Sequence, residues 1–379
     1  MTTQKLKHVL IIITENCNLN CVYCYEKRKN LRVLSFNEIK QIIQNVFHQA
    51  SGYDGISLIF HGGEIALAFE RLKEVCEWLW SQSWEKPYVC FASTNGTLIH
   101  GEIQEWFHKN KNRFVLSLSL DGTRDMQNVN RSNSFDQIDL EFFKKCWPKQ
   151  KCKMTISPLT MPKITEGVAF IHDLGFYASA NLACGVEWSK ELLSVYREQL
   201  GKTAEFYLAN PEYKVMNLLL QSIWKIGFNA LFPDRRNFKK WCATGEDMVC
   251  YASDGRAYPC PMFIPSTHVN DDGIHFPQVD FSNHELFVNQ SCKDCTLEYT
   301  CPTCYGENYF ATGSLNKQPE GLCSFKKVEA VAASYLQGTM LLAPSKYLFT
   351  RTLSPTEITC VAKGVEIVQK TLADEVEAY

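Results

Sequence analysis

Hydrophobic residues in the first half of the chain recur in two alternating patterns. HVLIIIT (8–14) is an unbroken apolar, β-branched run, the pattern of a strand buried on both faces. FNEIKQIIQNVFHQA (36–50) follows, with apolar positions at helical spacing and Ser35 placed as an N-cap. The pair then repeats. ISLIF (56–60), YVCFAS (88–93), FVLSLSL (114–120), KMTIS (153–157) and YASANLA (177–183) read as strands, with helices predicted near 69–82, 98–109, 138–146, 163–173 and 189–200.

Six βα units predict an α/β protein with a parallel sheet and helices on its outside. A partial (β/α)6 TIM-like barrel is the expected form, and a flat doubly wound sheet is the alternative. In parallel barrels the chemistry sits on the loops at the carboxyl ends of the strands. Here those loops read TENCNLNCVYCY, HGGE, TNGT, DGTRD, SPLT and CGVE. Residues 201–232 read as an apolar helical connection that completes a first domain, 1–232. Over 233–330 helical periodicity fades while cysteine and turn residues rise. Within it, MVCYASDGRAYPC has two short arms around Asp254-Gly255, a hairpin turn pair that would bring Cys250 and Cys260 alongside each other. A helical segment, 331–379, closes the chain.

At about 150 residues per domain, 379 residues suit two or three domains. The 39 Lys and Arg nearly balance the 41 Asp and Glu, for a net charge of −2. That balance argues against nucleic acid or a polybasic membrane patch as partner. No apolar run approaches the roughly 18–20 residues of a membrane span. The apolar part of MTTQKLKHVLIIITENC is short for a secretory signal, so a cytoplasmic location is expected. The unusual number is 17 cysteines. In a reducing compartment a disulfide framework is not expected, and thiolates serve as soft metal ligands. Cys76, Cys90, Cys146, Cys152, Cys184 and Cys360 are scattered and read as packing residues. The other eleven are grouped.

Cys17, Cys21 and Cys24 form CxxxCxxC in the loop after the first strand. Three thiolates are one short of a closed zinc site and one short of a fully ligated cubane. No histidine completes a zinc set: His8 lies inside the first strand, and His48 is distant in sequence. Structural zinc remains one reading, and a cluster with an open iron is the other. The second group is Cys242, Cys250, Cys260, Cys292, Cys295, Cys301, Cys304 and Cys323. Taken alone, its two CxxC pairs read as a zinc knuckle. The gap between them is short for a zinc ribbon, whose pairs stand roughly 15–20 residues apart.

The segment CNLNCVYCY, with Tyr23 before the third cysteine, resembles the cluster loop of radical S-adenosylmethionine (SAM) enzymes. Gly62-Gly63-Glu64 after the second strand is similar to the motif that holds the methionine amino group in that family. Ser119 in SLDG and Arg131 match positions that contact the cofactor's ribose and carboxylate, and Thr94-Asn95-Gly96 also fits. The resemblance implies a [4Fe–4S] cluster whose open iron binds SAM. It further implies reductive cleavage to a 5′-deoxyadenosyl radical, which takes hydrogen from an unactivated C–H bond.

The second group resembles the SPASM extension of these enzymes: Cys242, twelve residues, Gly255, four residues, Cys260. One departure is Cys301-xx-Cys304, where the family more often has three intervening residues. The resemblance implies two auxiliary [4Fe–4S] clusters, the nearer on Cys242, Cys250, Cys260 and Cys304, the farther on Cys292, Cys295, Cys301 and Cys323. Three clusters, one with an open iron, need eleven thiolates, the number grouped here. It also implies a precursor peptide as substrate, cross-linked through C–C, ether or thioether bonds by net two-electron oxidation. An electron donor such as flavodoxin or ferredoxin and a separate leader-binding protein are the implied partners. Sulfatase-maturing members carry Asp directly after the hairpin cysteine, where this chain has Pro261. Other readings are a sulfatase maturase, a radical dehydrogenase on a small molecule, a non-enzymatic iron–sulfur carrier and a zinc-stabilised binding module. The carrier has no need of GGE, SLDG or Arg131, and the zinc module would be colourless.

Overall fold

The computed structural model describes residues 5–27, 29, 31–220, 223–235, 242–267, 279–298, 300–319 and 321–377. Trp241 and the pair Gln221-Ser222, in the segment read as a connection between domains, lie outside the described residues.

The six predicted strands form where the apolar runs stand: β1 (Leu6–Thr14), β2 (Gly55–Gly62), β3 (Tyr88–Thr94), β4 (Phe114–Leu118), β5 (Lys151–Ile156) and β6 (Tyr177–Leu182). Two short strands follow, β7 (Met248–Tyr251) and β8 (Ala257–Tyr258). The helices of the βα units are α1 (Phe36–His48), α2 (Phe69–Ser81), α3 (Gly101–Asn110), α4 (Arg124–Asn130), α5 (Leu140–Cys146), α6 (Ile164–Asp173) and α7 (Leu192–Ala209). Then come α8 (Asn217–Leu220), α9 (Ile223–Leu231), α10 (Tyr305–Thr312), α11 (Leu322–Leu341), α12 (Leu348–Arg351) and α13 (Pro355–Glu377). Ser35 caps α1 as expected, accepting from the Glu38 N–H while the Glu38 carboxylate accepts from the Ser35 N–H. Helix α4 is not legible in the sequence because seven residues carry too little periodicity. Its inward face is mixed, with Met126 buried beside Gln127 and Asn130, which are hydrogen-bonded to Asp121.

The α/β class holds. No ladder closes the strands into a complete barrel among the described residues. They form a six-stranded sheet, β4-β3-β2-β1-β7-β8, and a two-stranded sheet, β5-β6. All neighbours run parallel except β7 and β8. The hairpin around Asp254-Gly255 therefore forms, and its first arm extends the main sheet by pairing with β1, Leu10 opposite Cys250. That pairing satisfies backbone groups that β1 would otherwise leave exposed on a sheet edge.

Two compact units result. The first comprises residues 1–119, 131–150 and 243–282, and the second 120–130, 151–242 and 283–379. In the first, Phe60, Phe107, Phe114 and Trp106 form an aromatic cluster between sheet and helices. The second is mostly helical. There α9 and α13 cross so closely that a Cβ on Gly227 would lie 1.8 Å from the Cys360 carbonyl oxygen, and one on Gly364 2.0 Å from that of Ile223. Both positions therefore need glycine. The helix predicted over 201–232 is interrupted near Pro211, between the end of α7 and α8. Residues Ile223, Ala330, Ala333, Val361 and Val368 form a core on which Cys295 and Cys301 rest.

Candidate active site and thiol array

In the first unit, β1 ends at Thr14 and the chain turns into the loop bearing Cys17, Cys21 and Cys24. The end of β2 is laced to it: the Gly63 N–H donates to the Thr14 carbonyl at 3.0 Å and the Glu64 N–H to that of Asn16 at 2.8 Å. A Cβ on Gly63 would stand 2.5 Å from the carbonyl oxygens of both Glu15 and Asn16, and one on Gly62 2.6 Å from that of Thr14. The backbones meet so closely that only glycine fits.

Glu64 is fully buried. Its carboxylate accepts from the Ala66 N–H at 3.0 Å, the Thr94 hydroxyl at 2.7 Å and the Asn95 N–H at 2.7 Å. Burial raises its pKa, opposed by those hydrogen bonds and by the charge of Arg131. With three donors on its two oxygens, Glu64 acts as a brace between the ends of β2 and β3. Asn95 reaches back to the cysteine loop, donating to Asn18 at 2.9 Å, while Asn18 donates to Thr97 at 2.8 Å. The Asn20 N–H donates to the Ser132 hydroxyl at 3.0 Å, and Lys29 to the Leu19 carbonyl at 3.1 Å. The Arg131 guanidinium stands over the Tyr23 ring at 5.5 Å, a cation–π contact that fixes both. Ser119 is nearly buried just past β4, with its N–H on the Thr94 carbonyl at 2.9 Å.

The loop thiols are half-buried and none of the chain's 17 cysteines forms a disulfide. Burial raises the Cys17 thiol, with the Leu19 N–H and the charge of Lys29 opposing and Glu64 and Cys24 adding to the rise. Cys17, Cys24 and Glu64 are therefore neighbours. Three soft donors beside a glycine-lined backbone cradle, at the carboxyl ends of parallel strands, suit an iron–sulfur cluster with a small polar ligand. Among the described residues no three His, Cys, Asp or Glu side chains converge as around a single ion. A cubane spreads its thiolates over separate iron corners, so close convergence is not required of its ligands.

The hairpin cysteines occupy the same unit. Cys250 is wholly buried among Leu10, Ile12, Ala252 and Ile264, with Cys260 close enough to influence its thiol.

In the second unit, the four thiols expected of one auxiliary site are neighbours. Cys292 feels Cys295, Cys301 feels Cys323, and Cys323 feels both Cys292 and Cys295. Tight turns present them: the Cys295 N–H bonds the Cys292 carbonyl at 3.0 Å, with Asp294 at φ 69° completing that turn. Cys323 sits in the first turn of α11, where burial raises its thiol and the charge of Lys327 opposes. Gln318 donates to the Cys301 sulfur at 2.9 Å. Cys304 is the N-cap residue of α10, without a side-chain hydrogen bond to the helix.

Cys184, read from its isolation along the chain as a packing residue, lies half-buried just past β6. Its neighbour Cys304 chiefly pushes the Cys184 thiol up, with burial and Glu307 adding, while Cys304 itself is held below the usual thiol range. Cys184, Cys242 and Cys304 line one cavity of about 510 Å³, with Glu307, Lys326 and Trp224. Sequence spacing hides Cys184 because it belongs to a strand end far upstream of the array. The bracing residues Asn18, Thr97 and Ser132 are likewise hidden, since their roles arise only when separate loops meet.

Residues 11–165 match the Radical SAM superfamily model. The cysteine-type anaerobic sulfatase-maturating enzyme of Clostridium perfringens is 30% identical over 332 residues, 76% of this chain and 85% of that one. The Fe-coproporphyrin III synthase of Methanosarcina barkeri is 32% identical over 116 residues, 30% of this chain and 27% of that one. Among solved structures, native anSMEcpe with bound AdoMet and the Cp18Cys peptide superposes with TM-score 0.68 at 18% identity, covering 88% of this chain and 98% of that one. Streptococcus suis SuiB bound to the precursor peptide SuiA gives 0.56 at 17%, covering 84% and 76%. A glycine cradle and cysteine triple at the strand ends thus coincide with a family match that spans them, and the chain belongs to the radical SAM superfamily, in its SPASM-bearing branch with the anaerobic sulfatase-maturating enzymes.

Proposed function

We propose that this enzyme oxidises a precursor peptide, forming a side-chain cross-link with the net loss of two hydrogen atoms. The observation that carries the reading is the lacing of the Cys17, Cys21 and Cys24 loop to Gly63, Glu64 and Asn95, beside the Arg131–Tyr23 contact. When bound, the cluster and SAM supply a radical able to break an aliphatic C–H bond, chemistry beyond any side-chain base.

The chain's own residues do the rest. Cys17, Cys21 and Cys24 hold three irons. Gly62 and Gly63 leave backbone, with no side chain between, against the cofactor's amino group. Glu64 holds that cradle in place. Arg131, fixed by Tyr23, offers positive charge to a carboxylate, and Ser119 a hydroxyl to a ribose. Burial of this rim excludes water from a reactive intermediate. The later cysteines would hold two auxiliary clusters, groups able to accept an electron. An electron donor such as flavodoxin or ferredoxin, and a separate leader-binding protein, complete the system.

A second reading, oxidation of a peptidyl Ser or Cys, is favoured by the 85% coverage of the sulfatase-maturating relative. Against it stands Pro261, where maturases carry an acid. Asp254 is a poor substitute base, because the Arg256 N–H, the Arg256 guanidinium and the Tyr258 hydroxyl all donate to it.

Co-expression with a small open reading frame beside the gene tests the proposal. The expected product is a peptide lighter by two hydrogens, unreactive to hydrazide, with fragmentation blocked between the joined residues. A hydrazide-reactive aldehyde would establish the second reading, and no mass change with any neighbouring peptide would overturn the cross-link and leave oxidation of a larger protein or of a small molecule.

A further inference from the structure

The array holds eight cysteines by grouping along the chain, yet a ninth lies in it. Cys184 follows β6, in the loop CGVE, and lines a cavity with Cys304. The two share their cavity with Cys242. Cys250, which the family resemblance assigns to the same cluster as Cys242 and Cys304, sits in a different setting. It is 0% exposed on a strand, opposite Leu10, within an apolar group of Leu10, Ile12, Ala252 and Ile264, and its thiol neighbour is Cys260 rather than Cys242 or Cys304. A buried cysteine among aliphatic side chains is a packing residue by its surroundings. A partly exposed cysteine beside two others on one cavity has the surroundings of a ligand.

We propose that Cys184 ligates an auxiliary iron–sulfur cluster together with Cys242 and Cys304, in the position that the resemblance assigns to Cys250. The inference rests on the reading that the later cysteines hold clusters. The cavity of about 510 Å³ has room for an inorganic core. Its other polar lining suits such a core. Lys326, ion-paired with Glu329 at 2.9 Å, sets positive charge beside a cluster that carries negative charge once ligated by thiolates. Gly185 donates its N–H to Glu307 at 3.2 Å, pinning the Cys184 loop to the start of α10, where Cys304 is the cap.

The full chain, purified without oxygen and reconstituted with iron and sulfide, gives the test. Iron and acid-labile sulfide per chain are measured for wild type, C184A and C250A, with Mössbauer and electron paramagnetic resonance spectra of each. The expected result is loss of about a third of the iron in C184A, while C250A keeps the wild-type content. The signal that changes on adding SAM persists in both. Circular dichroism checks the fold, and C184S offers a second variant, in which an oxygen ligand would retain iron with a shifted spectrum. Full iron and unchanged spectra in C184A and C184S would overturn the assignment, as would iron loss in C250A. A shifted midpoint potential with full iron in C184A would also overturn it, making Cys184 a hydrogen-bond donor to Cys304 instead. A wild-type content of only about four irons per chain would refute the auxiliary-cluster reading itself, a separate and recognisable failure.

Discussion

The loop at residues 17–24 and the array at residues 292–323 present the same kind of side chain by different means. The loop is held from outside. Backbone and side chains from the ends of β2 and β3, and the segment after α4, each reach into it, through Gly63, Glu64, Asn95 and Ser132. The array is held mainly by its own turns and by the helices beneath it. Cys292 and Cys295 share one turn, Cys323 opens α11, and Cys295 and Cys301 rest on a core of α9, α11 and α13. A site for substrate chemistry needs preorganised polar partners around it, and the loop has them. The array's thiols, half-buried at Cys292, Cys295 and Cys301 and exposed at Cys323, have fewer such partners around them.

Removing one thiol from each region tests this difference most sharply. C21A should abolish 5′-deoxyadenosine formation and lower iron by about four atoms per chain. C323A should lower iron by a similar amount yet leave SAM cleavage measurable, with the cross-linked peptide strongly reduced. Liquid chromatography of the nucleoside beside mass spectrometry of the peptide reads both. Equal loss of cleavage in the two variants would erase the distinction.

Glu64 comes next. E64A strands the Thr94 hydroxyl and the N–H groups of Ala66 and Asn95 in a buried place, at about 1–3 kcal/mol for each unsatisfied group. We expect a large fall in the urea midpoint and loss of SAM binding, both partly restored in E64Q, which keeps an acceptor. G63A should act more locally. Its new methyl would meet two carbonyl oxygens at 2.5 Å, an overpacking of about 1–3 kcal/mol. The fold should survive while SAM affinity, measured by the spectral change on titration, weakens.

The two regions also differ in how far sequence alone reaches. All six strands of the βα units are legible to within two residues at most ends, because apolar positions, continuous in β1 and alternating in β3, β5 and β6, leave a strong signal. The loop can be read because its ligands are contiguous and follow one of those strands. Counting groups the array, and the neighbourhood of Cys292, Cys295, Cys301 and Cys323 follows that grouping. Cys184 escapes because cavity partners distant in sequence carry no spacing signal. The hairpin is legible in Asp254-Gly255, but its pairing with β1 is not, since register between distant strands depends on which edges remain open.

The smallest effect concerns acid sensitivity in the unit that carries the array. His172 on α6 is buried, stacked on Tyr213 at 4.6 Å and 3.0 Å from the Tyr207 hydroxyl. Burial lowers its pKa from 6.5 to about 4, with Asp173 opposing. A histidine depressed in the folded state favours folding when neutral. Its contribution is therefore complete above pH 6.5 and is lost as pH falls toward 4, where the unfolded chain takes up the proton first. Urea midpoints should drop across that window. H172Q, which loses the ring stacking, should start lower at neutral pH but fall less steeply on acidification. Parallel curves for the two proteins would assign the acid loss to other groups and remove this asymmetry between the units.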